Sequence, residues 1–247
     1  MLEIFFIIFG LCIGSFLNVC ILRLPHRKSI ITPSSHCGFC KKPIEPWDLI
    51  PIISYIILLG KCRYCSMNIS IRYPLTEALT ACLFALCFQV QGLSEELIQS
   101  IILTSFLIVI TYIDYDHQLI LDKVLIWLAG TGVVINLLIN SISITDMLIA
   151  SIVCGGFMLL IAVASRGGMG GGDIKFVAAL GLWLGLKLTL LTLFIAFVTG
   201  GLGGVIVLLL KLKGRKDYIP FGPFIALGAF ISMLYGNRII EWYLNSF

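Results

Sequence analysis

The sequence predicts an all-α polytopic membrane protein of about eight transmembrane helices, with a small cytoplasmic zinc-knuckle module between helices 1 and 2. Three observations carry that reading. First, the 247 residues are 59% hydrophobic and only 12% charged, with a mean hydropathy of +1.06, which leaves too little charge for the surface of a soluble domain. Second, apolar runs recur at 2–22, 74–91, 97–113, 123–140, 146–165, 174–187, 188–210 and 222–245, each set against the ~20 residues needed to cross a bilayer. Third, the basic residues alternate from one connection to the next. The run at 174–187 is short, so the count becomes seven if it joins its neighbour.

Taken in order, the first run carries Glu3 where a signal peptide needs basic residues, and no small-residue cleavage site follows it. It reads as a retained span. The next segment holds Arg23, Arg27, Lys28, Lys41, Lys42, Lys61, Arg63 and Arg72, whereas the following connection has only Glu95 and Glu96. Lys123, then Arg166 with Lys175, then Lys211, Lys213, Arg215 and Lys216 continue the alternation. Of the 17 Lys and Arg, only Lys187 and Arg238 fall outside it. By the positive-inside rule the N-terminus lies outside, these connections are cytoplasmic, and the span count is even. The expected division is 1–22 as first helix, 23–73 as cytoplasmic module and 74–247 as transmembrane catalytic domain.

The module carries Cys37-Gly-Phe-Cys40 and Cys62-Arg-Tyr-Cys65, two C-x2-C turns separated by 21 residues. Each turn can present two thiolates to one tetrahedral ion, so the pair predicts a closed structural zinc site. Two disulfides or four unligated thiols are the alternatives, and a reducing cytoplasm argues against disulfides. Between the turns, residues 49–59 are mostly apolar but too few to span. They are expected to form an interfacial or re-entrant segment that tethers the module to the bilayer. Cys12, Cys20, Cys82, Cys87 and Cys154 lie in apolar runs and read as small packing residues.

Two aspartates stand at the edges of spans. Asp114 ends the run at 97–113, followed by Asp116, His117 and Asp122 in what reads as a short wet turn. Asp116 and Asp122 are expected to be solvated, with Asp122 an N-cap for the next helix, and His117 reads as a surface histidine. Asp173 closes the run Gly167-Gly168-Met169-Gly170-Gly171-Gly172. Gly170 and Gly172 are the expected supporting positions, giving a backbone that is freer in conformation and can approach a substrate closely. No Lys-Ser or Lys-Thr pair follows the glycines, so a phosphate cradle is not expected. The bland reading, a flexible linker whose aspartate caps the helix, leaves the density of glycines unexplained. Acidic residues at the rim of hydrocarbon point to function, and charge alternation places both aspartates at one face. Two such carboxylates, sharing a proton, can divide the work of a base toward water and an acid toward a carbonyl. A proton path would place its acids nearer the midplane.

Several ordered motifs resemble the bacterial type IV prepilin peptidase family, including its competence-type members. They are Gly14-Ser15-Phe16-Leu17-Asn18-Val19 with Arg23-Leu24-Pro25, the two C-x-x-C pairs, Leu59-Gly60-Lys61-Cys62, and Arg72-Tyr73-Pro74-Leu75-Thr76-Glu77. Ile113-Asp114-Tyr115-Asp116-His117-Gln118-Leu119, the G-x-G-D stretch ending at Asp173-Ile174-Lys175, and Ile219-Pro220-Phe221-Gly222-Pro223-Phe224 complete the set. The G-x-G-D type is shared with intramembrane aspartyl proteases. The resemblance implies cleavage of the basic leader of prepilins or pseudopilins, then methylation of the new N-terminus with S-adenosylmethionine. It implies Asp114 and Asp173 as the catalytic pair, and links Gly60, Arg72 and Glu77 to methyl transfer. One departure is Ile120-Leu121-Asp122 where the family has Leu-Pro-Asp, which relaxes that turn and spares both aspartates.

The expected protein is therefore a leader peptidase of the bacterial cytoplasmic membrane, with its active site at the cytoplasmic face. Its expected partners are pilin-like substrates and membrane lipid, with no nucleic acid. A proton-coupled carrier using the same acids and a non-enzymatic assembly factor docking through the zinc module are the competing readings.

Overall fold

The computed structural model describes residues 1–139, 141–165, 168–210 and 219–246. Gly167, Arg166 and the basic connection Lys211, Lys213, Arg215 and Lys216 lie outside the described residues. Among those described, seven helices are long and apolar enough to cross a membrane, making this a multi-pass membrane protein. The chain divides into two compact units, Met1–Val109 and Ile110–Phe247.

In the first unit, α1 (Leu2–Arg23) packs on α3 (Arg72–Gln91). Helices in lipid associate by close backbone approach rather than by the hydrophobic effect. A Cβ at Gly10 would fall 2.6 Å from Ala81 Cα, and one at Gly14 would fall 2.8 Å from Glu77 Cα. Gly10 and Gly14, four apart on one face, thus create the contact. Phe6 stacks on Phe88 at 4.8 Å between centroids one turn further out. Between these helices lies the four-cysteine module, with a 3-10 turn at Pro46–Leu49 and the short α2 (Ile53–Ile57). The helix α4 (Glu95–His117) begins in this unit and ends in the second.

In the second unit, α5 (Asp122–Ile139), α6 (Ile144–Ala164), α7 (Gly171–Leu209) and α8 (Gly222–Asn245) follow the last turns of α4. The 39 residues of α7 would run ~58 Å if straight, far beyond a ~30 Å hydrocarbon layer. They do not run straight. Gly185 sits at φ 70°, ψ 178°, outside helical space. The arm before it lies against α6, with Gly155 on Ala178 and Gly181 on Ser151. The arm after it lies against α8, with Gly236 on Leu188 and Gly228 on Thr192 and Ala196. Phe197 of this second arm packs, rings tilted, on Phe221 at 5.4 Å, beside Gly222, whose N–H meets Asp114 in the last turn of α4, and in the first arm Gly172 and Lys175 meet Ile120 and Asp122 just past that turn. Residues 173 and 197 therefore share one end, and α7 doubles back at Gly185. The eight apolar runs of the sequence are recovered as seven helices, one of them folded into two arms.

The break leaves backbone groups that lipid cannot satisfy. Asn136 Nδ2 donates to Leu182 O at 2.8 Å and to Trp183 O at 3.2 Å. Asp146 Oδ2 accepts the freed Leu186 N–H at 3.2 Å, and the Trp183 indole donates to Leu128 O at 2.6 Å. Buried Asn136 and half-buried Asp146 thus seal the turn.

Several boundaries differ from expectation. The α4 helix continues through His117, so Asp114 lies inside its last turns and the wet connection shrinks to 118–121. Asp122 is the first residue of α5 and forms an ion pair with Lys175 at 2.8 Å. The helix carrying Asp173 is N-capped by Gly170 without any side-chain bond, so Asp173 is not its cap. Of the five span cysteines, Cys20, Cys87 and Cys154 are buried as expected, while Cys12 and Cys82 face outward.

Candidate active site and metal centre

Asp114 is brought inward by its place on α4. The preceding Ile113 is 1% exposed and Asp114 itself 2%, whereas Asp116, His117 and Asp122 are all exposed. Its Oδ2 accepts the Gly222 N–H at 3.0 Å. A charge-assisted bond of this kind orients the carboxylate and leaves the other oxygen for chemistry. The approach demands glycine, since a Cβ at Gly222 would fall 2.6 Å from that same oxygen. Sequence reading placed Gly222 in a motif but not in the site. Its signal was the Pro220-Phe-Gly-Pro223 string, which stops a connection and starts a helix at a defined residue.

Asp173, 3% exposed, sits in the first turn of α7 and donates its own N–H to Gly170 O at 3.1 Å. The described glycines before it carry no positive φ: only Gly60, Gly92 and Gly185 do. The conformational freedom expected of Gly170 and Gly172 is therefore not drawn upon. Close approach is. A Cβ at Gly172 would fall 2.9 Å from Ile120 Cβ, so glycine lets the start of α7 pack onto the 118–121 connection. The Asp122–Lys175 pair ties the same two segments from the exposed side. The structure thus brings Asp114 and Asp173 together in burial and leaves their acidic neighbours in water. Chemically, the arrangement is a buried carboxylate dyad at the ends of helices.

The four cysteine sulfurs of Cys37, Cys40, Cys62 and Cys65 lie within 4.8 Å of one another. Each C-x-x-C turn is built alike. Cys37 N–H donates to Lys42 O and Lys41 N–H to Cys37 O, and likewise Cys62 to Met67 and Ser66 to Cys62. Lys41 and Ser66 take matching positive φ of 59° and 56°, and single bridges His36–Pro43 and Lys61–Asn68 close the turns. Backbone N–H groups of Cys40 and Phe39 directed at the Cys37 sulfur pull its thiol down to about 6. Thiolates at about 2.3 Å from one tetrahedral ion stand about 3.8 Å apart, and the Cys37 and Cys65 sulfurs are 3.8 Å apart. The cluster fits a tetrahedral metal. Arg63 holds Asp48 with two bonds of 2.7 and 2.5 Å, fixing the second turn to the 3-10 segment.

Beside the cluster, the first unit holds a partly open cavity of about 570 Å³ lined by Ser15, Asn18, Tyr55, Tyr73 and Glu77, among others. Glu77, only 7% exposed, accepts the Ile52 N–H at 2.8 Å. Gly60 and Arg72 do not line the cavity. Gly60, at φ 68°, leaves room for the Tyr55 ring, whose atoms would stand 2.9 Å from a Cβ there.

Together, helical spans and a buried carboxylate pair fit one class, the membrane peptidases of aspartyl type. The particular family follows from comparison. Residues 8–90 match the bacterial peptidase A24 N-terminal domain and residues 101–205 the type IV leader peptidase family. A prepilin leader peptidase/N-methyltransferase of Bacillus subtilis (strain 168) is 38% identical over 99% of this chain and 98% of its own length. Proteins of the same description from Aeromonas hydrophila and Pseudomonas aeruginosa are each 33% identical over 97% of this chain and 93% and 92% of theirs. No solved structure matches the chain. The chain belongs to the type IV leader peptidase family.

Proposed function

We propose that Asp114 and Asp173 form the catalytic dyad of a leader peptidase that cleaves type IV prepilins or pseudopilins at the cytoplasmic face of the cell membrane. The observation that supports this reading best is their joint burial, at 2% and 3% exposure, while Asp116 and Asp122 remain in water. One carboxylate, ionised, takes a proton from water as its oxygen attacks the scissile carbonyl. The other, protonated, donates to the carbonyl oxygen, and collapse of the adduct passes a proton to the leaving nitrogen. Gly222 holds one Asp114 oxygen through its N–H, so the orientation is set before substrate arrives. Both acids sit in terminal turns of their helices, which disfavours a midplane proton path. The test is Asp114→Asn and Asp173→Asn with a co-expressed prepilin, read by mass spectrometry. Each should leave an inserted protein that no longer removes the leader, and wild-type processing by either would break the assignment.

The methyl step belongs to the cavity of the first unit. Its volume lies in the range of small-molecule sites, and the buried Glu77 carboxylate suits a cationic ligand. S-adenosylmethionine supplies the methyl group when bound there. In this reading Glu77 faces the donor, Gly60 keeps Tyr55 in the cavity wall, and Arg72 starts the helix that presents Glu77. The four cysteines hold zinc structurally, since four thiolates leave no open position. The methyl-transfer region thus joins the module at 23–73 to residues of α1 and the start of α3, and both proposed catalytic aspartates lie in the expected peptidase stretch 74–247. An assembly factor acting through the zinc module alone would survive loss of both aspartates.

A further inference from the structure

The four-cysteine module turns an apolar face outward. In α2, Ile53, Ile56 and Ile57 lie at i, i+3 and i+4, and all three are exposed, Ile57 to 70%. Trp47 and Ile50 before them and Leu59 after them, the last 83% exposed, extend the patch. A water-facing helix would bury that stripe, so a contiguous exposed patch marks a surface that something covers. The conformation is held against strain. Ile52 and Leu59, which flank α2, both take positive φ, at 61° and 52°, a region that bulky side chains rarely enter. Such geometry persists only where its surroundings impose it.

What imposes it also sets the depth of the patch. Ile52 N–H is hydrogen-bonded to Glu77, which stands in the second turn of the spanning helix α3. Nearby, Asn18 of α1 donates to Tyr73 O in the first turn of α3 at 3.1 Å. The α2 turn is therefore anchored level with the ends of two spans, where hydrocarbon gives way to headgroups. Exposed Lys41, Lys42 and Lys61 on the two cysteine turns add charge suited to anionic headgroups. Trp47, an aromatic with one polar atom, suits the same zone.

We infer that Trp47, Ile50, Ile53, Ile56, Ile57 and Leu59 form a bilayer-docking face that lays the module, with its cavity, on the lipid interface. The occupant is the membrane that α1 and α3 cross, and the test is independent of either activity. The full chain is placed in nanodiscs of phosphatidylcholine and phosphatidylglycerol, with and without brominated acyl chains. Subtracting the emission of Trp47→Phe isolates Trp47 from the other three tryptophans. The Trp47 signal is expected to be blue-shifted, quenched by brominated lipid and insensitive to iodide. An iodide-sensitive signal that brominated lipid leaves unchanged overturns the proposal, as does shielding that appears only when a prepilin peptide is added. Ile53→Ser with Ile56→Ser and Ile57→Ser should move Trp47 toward water while the module keeps its metal. The single change Ile57→Ser, which spares the fold further, should give a smaller shift of the same sign. No shift in either variant also overturns the proposal.

Discussion

The dyad and the four-cysteine cluster are built in opposite ways. Each cysteine turn is a local device, its ligands three residues apart and its backbone bonds closed within the same short loop, and the second turn repeats the first. The dyad is assembled from three distant places: the end of α4, the start of α7 and the Gly222 N–H. A local device survives changes elsewhere in the chain. An assembled one depends on every helix that sets its spacing, including the turn at Gly185 that brings the second arm of α7 back. Changes far from the dyad should therefore disturb it, whereas the cluster should respond only to its own ligands.

The largest effect expected is at the dyad. Asp114→Asn or Asp173→Asn should lower leader cleavage by about 10³-fold or more, as loss of an acid–base group does. Methylation of a synthetic peptide that already starts at the mature residue should continue, and its loss would remove the contrast between the two regions. Next comes Gly222→Ala, which pushes a methyl group into Asp114 Oδ2. A displacement approaching 1 Å costs roughly 10²-fold in rate, to be seen in kcat rather than in KM.

Replacing Cys37 and Cys62 by serine should abolish metal retention, measured by elemental analysis of purified protein, and with it methyl transfer. Cleavage should fall much less. Gly185→Ala should cost roughly 1–3 kcal/mol from its backbone conformation alone, since positive φ with ψ near 180° is essentially confined to glycine, and more from the clash with the Asp146 carboxylate. It should lower the thermal midpoint and cleavage together while metal content stays constant.

The smallest effect belongs to the exposed pair of Asp122 and Lys175. With side chains 64% and 59% exposed, it contributes less than about 1 kcal/mol. Asp122→Lys or Lys175→Asp should slow cleavage a few-fold, and the double exchange should restore it. Failure of that rescue would show that the pair does not align the start of α7 with the 118–121 connection.

Much of this was legible in the chain. Apolar run lengths and charge alternation report a physical constraint, the thickness and polarity of a bilayer, that acts on every span independently. The C-x2-C pairs were legible because their geometry is completed within a few residues. Both aspartates stood out because acids at the rim of hydrocarbon are costly. The mouths of the spans were less legible. Asp114 read as the first residue of a wet turn because its neighbours Asp116, His117 and Asp122 are polar, yet α4 carries it inside through His117. The run Gly170-Gly171-Gly172 suggested conformational freedom, and its use is close approach to Ile120.

By itself, then, the sequence determined the membrane class, the number of apolar runs, the identity of the four clustered cysteines and the pair of acids worth testing. Only the tertiary structure decided that Asp114 and Asp173 share a buried site and that Gly222 orients one of them. It also decided that α7 folds back at a turn sealed by Asn136 and Asp146. The reason is physical. Run length and local turn chemistry are properties of neighbouring residues. Burial of a carboxylate, and the partners of a broken helix, depend on which helices meet across forty or more positions of chain.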